Sequence, residues 1–281
     1  MDVSAFCANL HAWLSHPIAG IVVAGSTGEA PLLARDELLA LVDAALPLTE
    51  GRRLIVGTGA EATRETIALS KAVGERGADA VLVRSPSYYR SAMSPAVLRD
   101  HFRAVADASP VPVILYHIPK FVPVTLEPEL AGRLVEHPNI AGIKDSSGDL
   151  SNLAALVTAC GSRGSVLVGS GALLYAALEA GARGGILGVG LLAARSATRL
   201  YEAWLDGDTA TAGALQERIG PLHKTVVAGL GVPGVKAALD ALGLVGGPPR
   251  PPLQPLSDDR RTVVEAALEA AGLGASSGAE A

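Results

Sequence analysis

Two cysteines, Cys7 and Cys160, are all that 281 residues contain. That is too few for a disulfide framework, and the usage fits a reducing cytoplasm, the expected location. Net charge is slight as well, −5 at neutral pH. A chain so mildly acidic offers no electrostatic footprint for nucleic acid and no polybasic face for a membrane surface. No stretch reaches 18 uninterrupted apolar residues, so no membrane span is expected. Met1-Asp2-Val3-Ser4 lacks a basic lead into an apolar run, so no secretory signal is expected. The six histidines are scattered, with no H-x-x-x-H pair beside a general-base glutamate. With no cysteine cluster either, no metal site is expected.

What the chain does have is a recurring apolar run. Runs at 19–24, 54–56, 80–83, 113–116, 140–143, 166–168 and 185–187 read as strands. Between them lie helical segments around 35–46, 61–75, 94–107, 127–136, 149–159 and 172–180, with another at 2–16 before the first run. The period of roughly 30 residues is that of βα units. The runs do not alternate polar with apolar, as expected of parallel strands covered on both faces. Polar or small residues gather just after them: Ser26 and Thr27, Thr58, Ser85, Tyr116 and His117, Lys144, Ser170. In a closed parallel barrel those ends share one face, where active sites are found.

The expected fold is therefore α/β, a (β/α)8 TIM barrel over residues 1–192. Only seven strands can be counted, because the chain opens directly in a helix. An open edge is costly, so the first barrel strand is expected upstream of Met1, or its place is covered by another segment. After Gly190 the strand pattern stops. Segments 193–206, 208–229 and 233–242 read as helices of a C-terminal appendage, 193–273. Residues 246–252, GGPPRPP, read as a stiff extended connector, and Ser257 as the cap of a last helix. Residues 274–281 read as a frayed tail.

Lys144 stands where the strand 140–143 ends, inside Gly142-Ile143-Lys144-Asp145-Ser146-Ser147. Burying a lone ammonium is costly. Either Lys144 has reached solvent or pairs with Asp145, or it is a desolvated amine placed for a carbonyl. Gly25-Ser26-Thr27-Gly28-Glu29 follows a strand and precedes a helix. Its N–H groups and two hydroxyls suit a small carboxylate, or serve an ordinary turn. It lacks the P-loop lysine and the dinucleotide pattern, so no nucleotide is expected. Tyr116 is a candidate proton shuttle, or a strand-end phenol bonded to a carbonyl. Tyr88 and Tyr89 lie on another loop of the same face. His117 has no obvious partner and reads as structural or substrate-shaping.

Five motifs in this order, each after a strand, carry a resemblance: GSTGE at 25–29, SPSYY at 85–89, ILYHIP at 114–119, GIKDSSGD at 142–149 and GSG at 169–171. Together they resemble the pyruvate-dependent class I aldolase family that includes dihydrodipicolinate synthase and N-acetylneuraminate lyase, over about residues 2–271. The resemblance implies a homotetramer, or a homodimer, in which Lys144 forms a Schiff base with pyruvate. It implies Tyr116 as the proton-shuttling tyrosine and Ser26 and Thr27 as the carboxylate-binding, proton-relaying loop. It matches Tyr88 to a tyrosine lent across a subunit interface, and Ile186 and Gly169 to positions beside the bound substrate. It implies no metal or organic cofactor.

Within the family, the stretches 87–94, 134–149 and 231–257 resemble the 4-hydroxy-2-oxoglutarate aldolase branch, where Ser146 matches a serine near the substrate. Phe121 falls where dihydrodipicolinate synthases place an arginine, and an aromatic ring cannot grip a carboxylate bidentately. Thr27 stands where the aldolase branch commonly has asparagine. The expected reaction is cleavage of 4-hydroxy-2-oxoglutarate to pyruvate and glyoxylate. Dihydrodipicolinate synthesis, or a lyase or dehydratase reaction on another 2-oxo acid, is the alternative. A non-catalytic barrel is disfavoured by the presence of both Lys144 and Tyr116.

Overall fold

The computed structural model describes residues 1–49 and 51–273, and the tail expected at 274–281 lies outside the described residues. Seven strands follow one another in space as they do in sequence: β1 (Gly20–Val23), β2 (Arg53–Gly57), β3 (Ala80–Arg84), β4 (Val113–His117), β5 (Ile140–Asp145), β6 (Ser165–Val168) and β7 (Gly184–Gly185). All neighbours pair in parallel. Between them run α2 (Arg35–Ala45), α3 (Thr63–Gly74), α4 (Pro95–Ala108), α5 (Pro128–Leu134), α6 (Leu150–Cys160) and α7 (Leu174–Glu179). The strands are apolar on both sides because both sides are covered. Val81, Val83, Val113 and Leu115 are buried, as are Leu98, Phe102 and Val105 of α4.

Seven strands are described where a closed (β/α)8 barrel has eight, and no ladder joins β7 to β1 among the described residues. The chain opens on α1 (Val3–Leu14). The Trp13 indole of α1 donates to the Leu191 carbonyl just past β7, at 3.0 Å. Asn9, buried, donates to the Val245 carbonyl at 2.8 Å and accepts the Val245 N–H at 3.0 Å.

The last third is helical: α8 (Ala194–Leu205), α9 (Thr209–Leu222), α10 (Gly231–Ala241) and α11 (Asp258–Ala270). The single helix expected over 208–229 divides. Residues 223–230 widen into a π-helix after Pro221, which has no N–H to give the ladder. Ser257 does hold the N-cap position of α11, but its hydroxyl makes no capping bond. Its carbonyl takes the Arg260 and Arg261 N–H groups instead, and Asp258 and Asp259 face the positive end of the helix.

Candidate active site

Two adjacent strands set the geometry. β4 and β5 pair with Tyr116 opposite Lys144 and His117 opposite Asp145. Residues opposite one another share a face, and successive residues alternate faces. So Tyr116 and Lys144 look one way, His117 and Asp145 the other. This parity depends on an irregularity: Val113 pairs with Ile140, but Ile114 pairs with Gly142. The skipped residue, Ala141, shifts the rest of β5 by one place. Gly142 carries φ of 154°, and a Cβ there would overlap the Ser165 carbonyl, so this kink against β6 requires glycine.

Lys144 is 7% exposed. Its Nζ lies 3.4 Å from Tyr116 Oη and 4.4 Å from the centre of that ring. Among the described residues no carboxylate pairs with it. Asp145, the partner one reading offered, bonds His117 Nδ1 at 2.7 Å instead. Tyr116 Oη in turn lies 3.3 Å from Ser26 Oγ. An amine, a phenol and a hydroxyl thus form one line, buried at the amine end and opening at the serine.

Ser26 owes its place to the turn after β1. Ala24 and Glu29 are both left-handed there, at φ 56° and 57°, which costs energy at non-glycine residues. Glu29 is held by Lys236 Nζ at 3.3 Å and by the Arg250 N–H at 2.7 Å. Among the described residues no hydrogen bond joins Tyr116 to Thr27, which was expected to link it onward. Its Oγ1 faces Gly188, where an added Cβ would stand 3.1 Å away. The hydroxyl on Tyr116 belongs to Ser26.

Gly169 follows β6 and receives the lysine side chain. A Cβ there would overlap Ser146 Oγ and come within 3.0 Å of Lys144 Cε. Gly169 and Ser146 therefore flank the amine. Ile186, half-buried, follows β7 and donates its N–H to the Val168 carbonyl at 2.9 Å.

Tyr88 is not brought in. It is 80% exposed and meets Tyr89 edge-on, ring centres 5.0 Å apart. Its loop is nonetheless pinned. The Glu61 carboxylate accepts the N–H of Ser87 at 2.8 Å and of Tyr88 at 2.9 Å, and Arg84 Nη1 at 2.8 Å. Burial acts to raise the Glu61 pKa, but these donors outweigh it and hold the carboxyl below its ordinary value. Phe121, in the arginine's place, is 58% exposed. Lys120 beside it donates to the Ala228 carbonyl of the π-helix.

Two groups escaped the sequence reading. His223, buried, accepts the Gly171 N–H on Nδ1 at 3.3 Å. Its Nε2 therefore carries the proton and points it at Ser170 Oγ, 3.3 Å away. Burial, then the Lys120 charge, push its pKa down to about 4. The other is the partnership of His117 with Asp145. Two strands ending in polar pairs, Tyr-His and Lys-Asp, were the available signal. Among the described residues no group of three or more His, Cys, Asp or Glu is placed to hold a metal ion, and no helix is long and apolar enough to cross a membrane.

Known proteins share this fold. The family model described as the dihydrodipicolinate synthetase family matches residues 2–271. The 4-hydroxy-tetrahydrodipicolinate synthase of Roseobacter denitrificans is 36% identical over 255 residues, covering 90% of this chain and 87% of that protein. The synthase of Acidiphilium cryptum is 37% identical over 255 residues, with the same coverage. Among solved structures, the chloride-inhibited dihydrodipicolinate synthase of Acinetobacter baumannii, complexed with pyruvate, aligns with a TM-score of 0.93 at 31% identity, covering 97% of this chain and 94% of that one. YagE of E. coli K12, in complex with pyruvate, aligns at 0.91 and 28% identity, covering 97% and 93%. Both curated relatives are named as synthases, not as the 4-hydroxy-2-oxoglutarate aldolase that the motifs suggested.

Proposed function

The chain belongs to the dihydrodipicolinate synthetase family, whose members are Schiff-base carbon–carbon lyases, and from that premise we propose that Lys144 condenses with the keto carbon of pyruvate. One observation carries this: a nearly buried amine, unpaired with any carboxylate, lies 3.4 Å from a phenol. Unprotonated Nζ attacks the keto carbon, and the carbinolamine loses water to give a protonated imine. The imine draws electrons from the neighbouring methyl carbon, which gives up a proton and becomes a nucleophilic enamine. Tyr116, backed by Ser26, carries protons to and from these atoms. The N–H groups of the 25–29 turn, with the Ser26 and Thr27 hydroxyls, take the pyruvate carboxylate. Gly169, Ser146 and Ile186 wall the pocket. Tyr88 serves a second copy of the chain in a homodimer or homotetramer, since it stands clear of its own Tyr116.

The enamine then attacks an aldehyde. The names of the relatives support aspartate semialdehyde, whose own amine then attacks the imine carbon, closes the ring and expels Lys144, giving 4-hydroxy-tetrahydrodipicolinate. Phe121 favours a second reading, in which 4-hydroxy-2-oxoglutarate loses its C4 hydroxyl proton, the C3–C4 bond breaks, glyoxylate leaves and pyruvate is released on hydrolysis.

Borohydride with pyruvate should tag the wild-type protein covalently, and Lys144→Ala should abolish both the tag and turnover. Tagging that persists in the variant refutes the assignment. Pyruvate consumption with aspartate semialdehyde, set against pyruvate release from 4-hydroxy-2-oxoglutarate, decides between the two substrates.

A further inference from the structure

Behind the amine–phenol pair, on the opposite face of the same strands, sits a second polar pair that the chemistry above does not use. His117 is 3% exposed and Asp145 is 2% exposed. They are the last residues of β4 and β5, opposite one another in register, one step beyond Tyr116 and Lys144. The side-chain bond thus closes the two strands at the point where they give way to loops.

Asp145 is fully engaged. Oδ1 accepts His117 Nδ1 at 2.7 Å, Ser147 N–H at 3.3 Å and Asn152 Nδ2 of α6 at 3.3 Å, while Oδ2 accepts Ser147 Oγ at 2.7 Å. A carboxylate among donors can only accept, so His117 donates from Nδ1. Its other nitrogen, Nε2, is buried and has no hydrogen-bond partner among the described residues. That is a real cost. Stability alone would favour two apolar residues here, since buried polar pairs gain little over a well-packed apolar pair. The backbone repeats the clamp: Ser146 N–H donates to the His117 carbonyl at 2.8 Å, and Gly169 N–H to the Asp145 carbonyl at 2.7 Å.

We propose that His117 is a positioning residue for imine formation: through Asp145 it clamps the end of β4 to β5 and α6, and so holds Tyr116 Oη against Lys144 Nζ. The proposal rests on the reading of Lys144 as the imine-forming residue. Misplacing reacting groups by about 1 Å costs on the order of 100-fold in rate. Substrate binding, which lies on the far face, is not involved.

The test compares His117→Leu, His117→Asn and Ser147→Ala in the full-length chain. Steady-state kinetics and the rate of borohydride tagging at saturating pyruvate are measured, with a thermal melt alongside. His117→Leu should lose about 10- to 100-fold in kcat and in tagging rate, with KM for pyruvate within about twofold. His117→Asn, whose amide presents a donor at the same reach as Nδ1, should recover most of that loss. Ser147→Ala, on a half-exposed residue that the fold tolerates, should show a smaller loss with the same kcat-only signature. Leu and Asn variants equally impaired, or a loss expressed in KM, overturns the proposal. If His117→Leu does not fold, an unchanged tagging rate in Ser147→Ala overturns it. Failure of the wild type to be tagged at all overturns the Lys144 reading instead, so the two failures are distinct.

Discussion

Gly169 has less freedom than any charged residue in the site, because the lysine occupies the space its side chain would need. Gly169→Ala should force Ser146 Oγ and Lys144 Cε aside together. A loss on the order of 100-fold in kcat is expected, with a melting temperature near that of wild type, since the residue lies in a loop after β6. Kinetics paired with a melt would check it. Single residues were also where sequence reading stopped short. Lys144, Tyr116 and the 25–29 turn were legible from their places at strand ends. That Ser26 rather than Thr27 meets Tyr116 was not, because the left-handed residues Ala24 and Glu29 decide which hydroxyl turns inward. The bond from His117 to Asp145 was illegible for a related reason. Strand parity hangs on the skip at Ala141, and apolar runs do not reveal a one-residue skip.

The turn after β1 is held from outside by α10 and the segment that follows it. Lys236 Nζ reaches Glu29 at 3.3 Å and also donates to the carbonyls of Gly246 and Pro248. Arg250 gives its N–H to Glu29, and its guanidinium spans both oxygens of Glu37 and the Leu32 carbonyl. That guanidinium holds the Glu37 carboxyl below its ordinary pKa. The segment is thus a strap across the strained turn that carries Ser26. Lys236→Met should leave Glu29 short of its cation and cost about 1.5–3 kcal/mol, the worth of a hydrogen bond to a charged group. A fall of roughly 2–6 °C in melting temperature follows, and KM for pyruvate should rise as the turn loosens. Both are read from one preparation. All seven strands and the helices between them were foreseeable from apolar runs and their period. The strap was not: residues 246–252 read as a spacer, since the acid that receives the Arg250 guanidinium lies 213 residues earlier. The π-helix at 223–230 was hidden as well, because its helical pattern is continuous with α9.

Across the whole molecule, two histidines make stability depend on pH. Burial lowers the pKa of His101 to about 4, with the Arg84 charge lowering it further and Glu61 opposing. His223 is lowered to about 4 by burial and Lys120. Unfolded, each returns to its ordinary 6.5. Between those values the unfolded chain binds protons that the folded chain refuses. The contribution of these two histidines is therefore complete above pH 6.5, falls as pH drops toward 4, and levels off below. Each histidine contributes a slope of about 1.4 kcal/mol per pH unit. Urea melts at several pH values inside this window should show the decline, and His101→Gln should roughly halve it. A different long-range dependence follows from α1. Its Trp13 and Asn9 bond residues 178 and 236 positions downstream. At a ribosomal pace of roughly 5–20 residues per second, Asn9 waits some 10–50 s for Val245 to be synthesised. α1 is thus made well before it can be seated. A nascent chain stalled before Val245 leaves the amide of Asn9 without this partner.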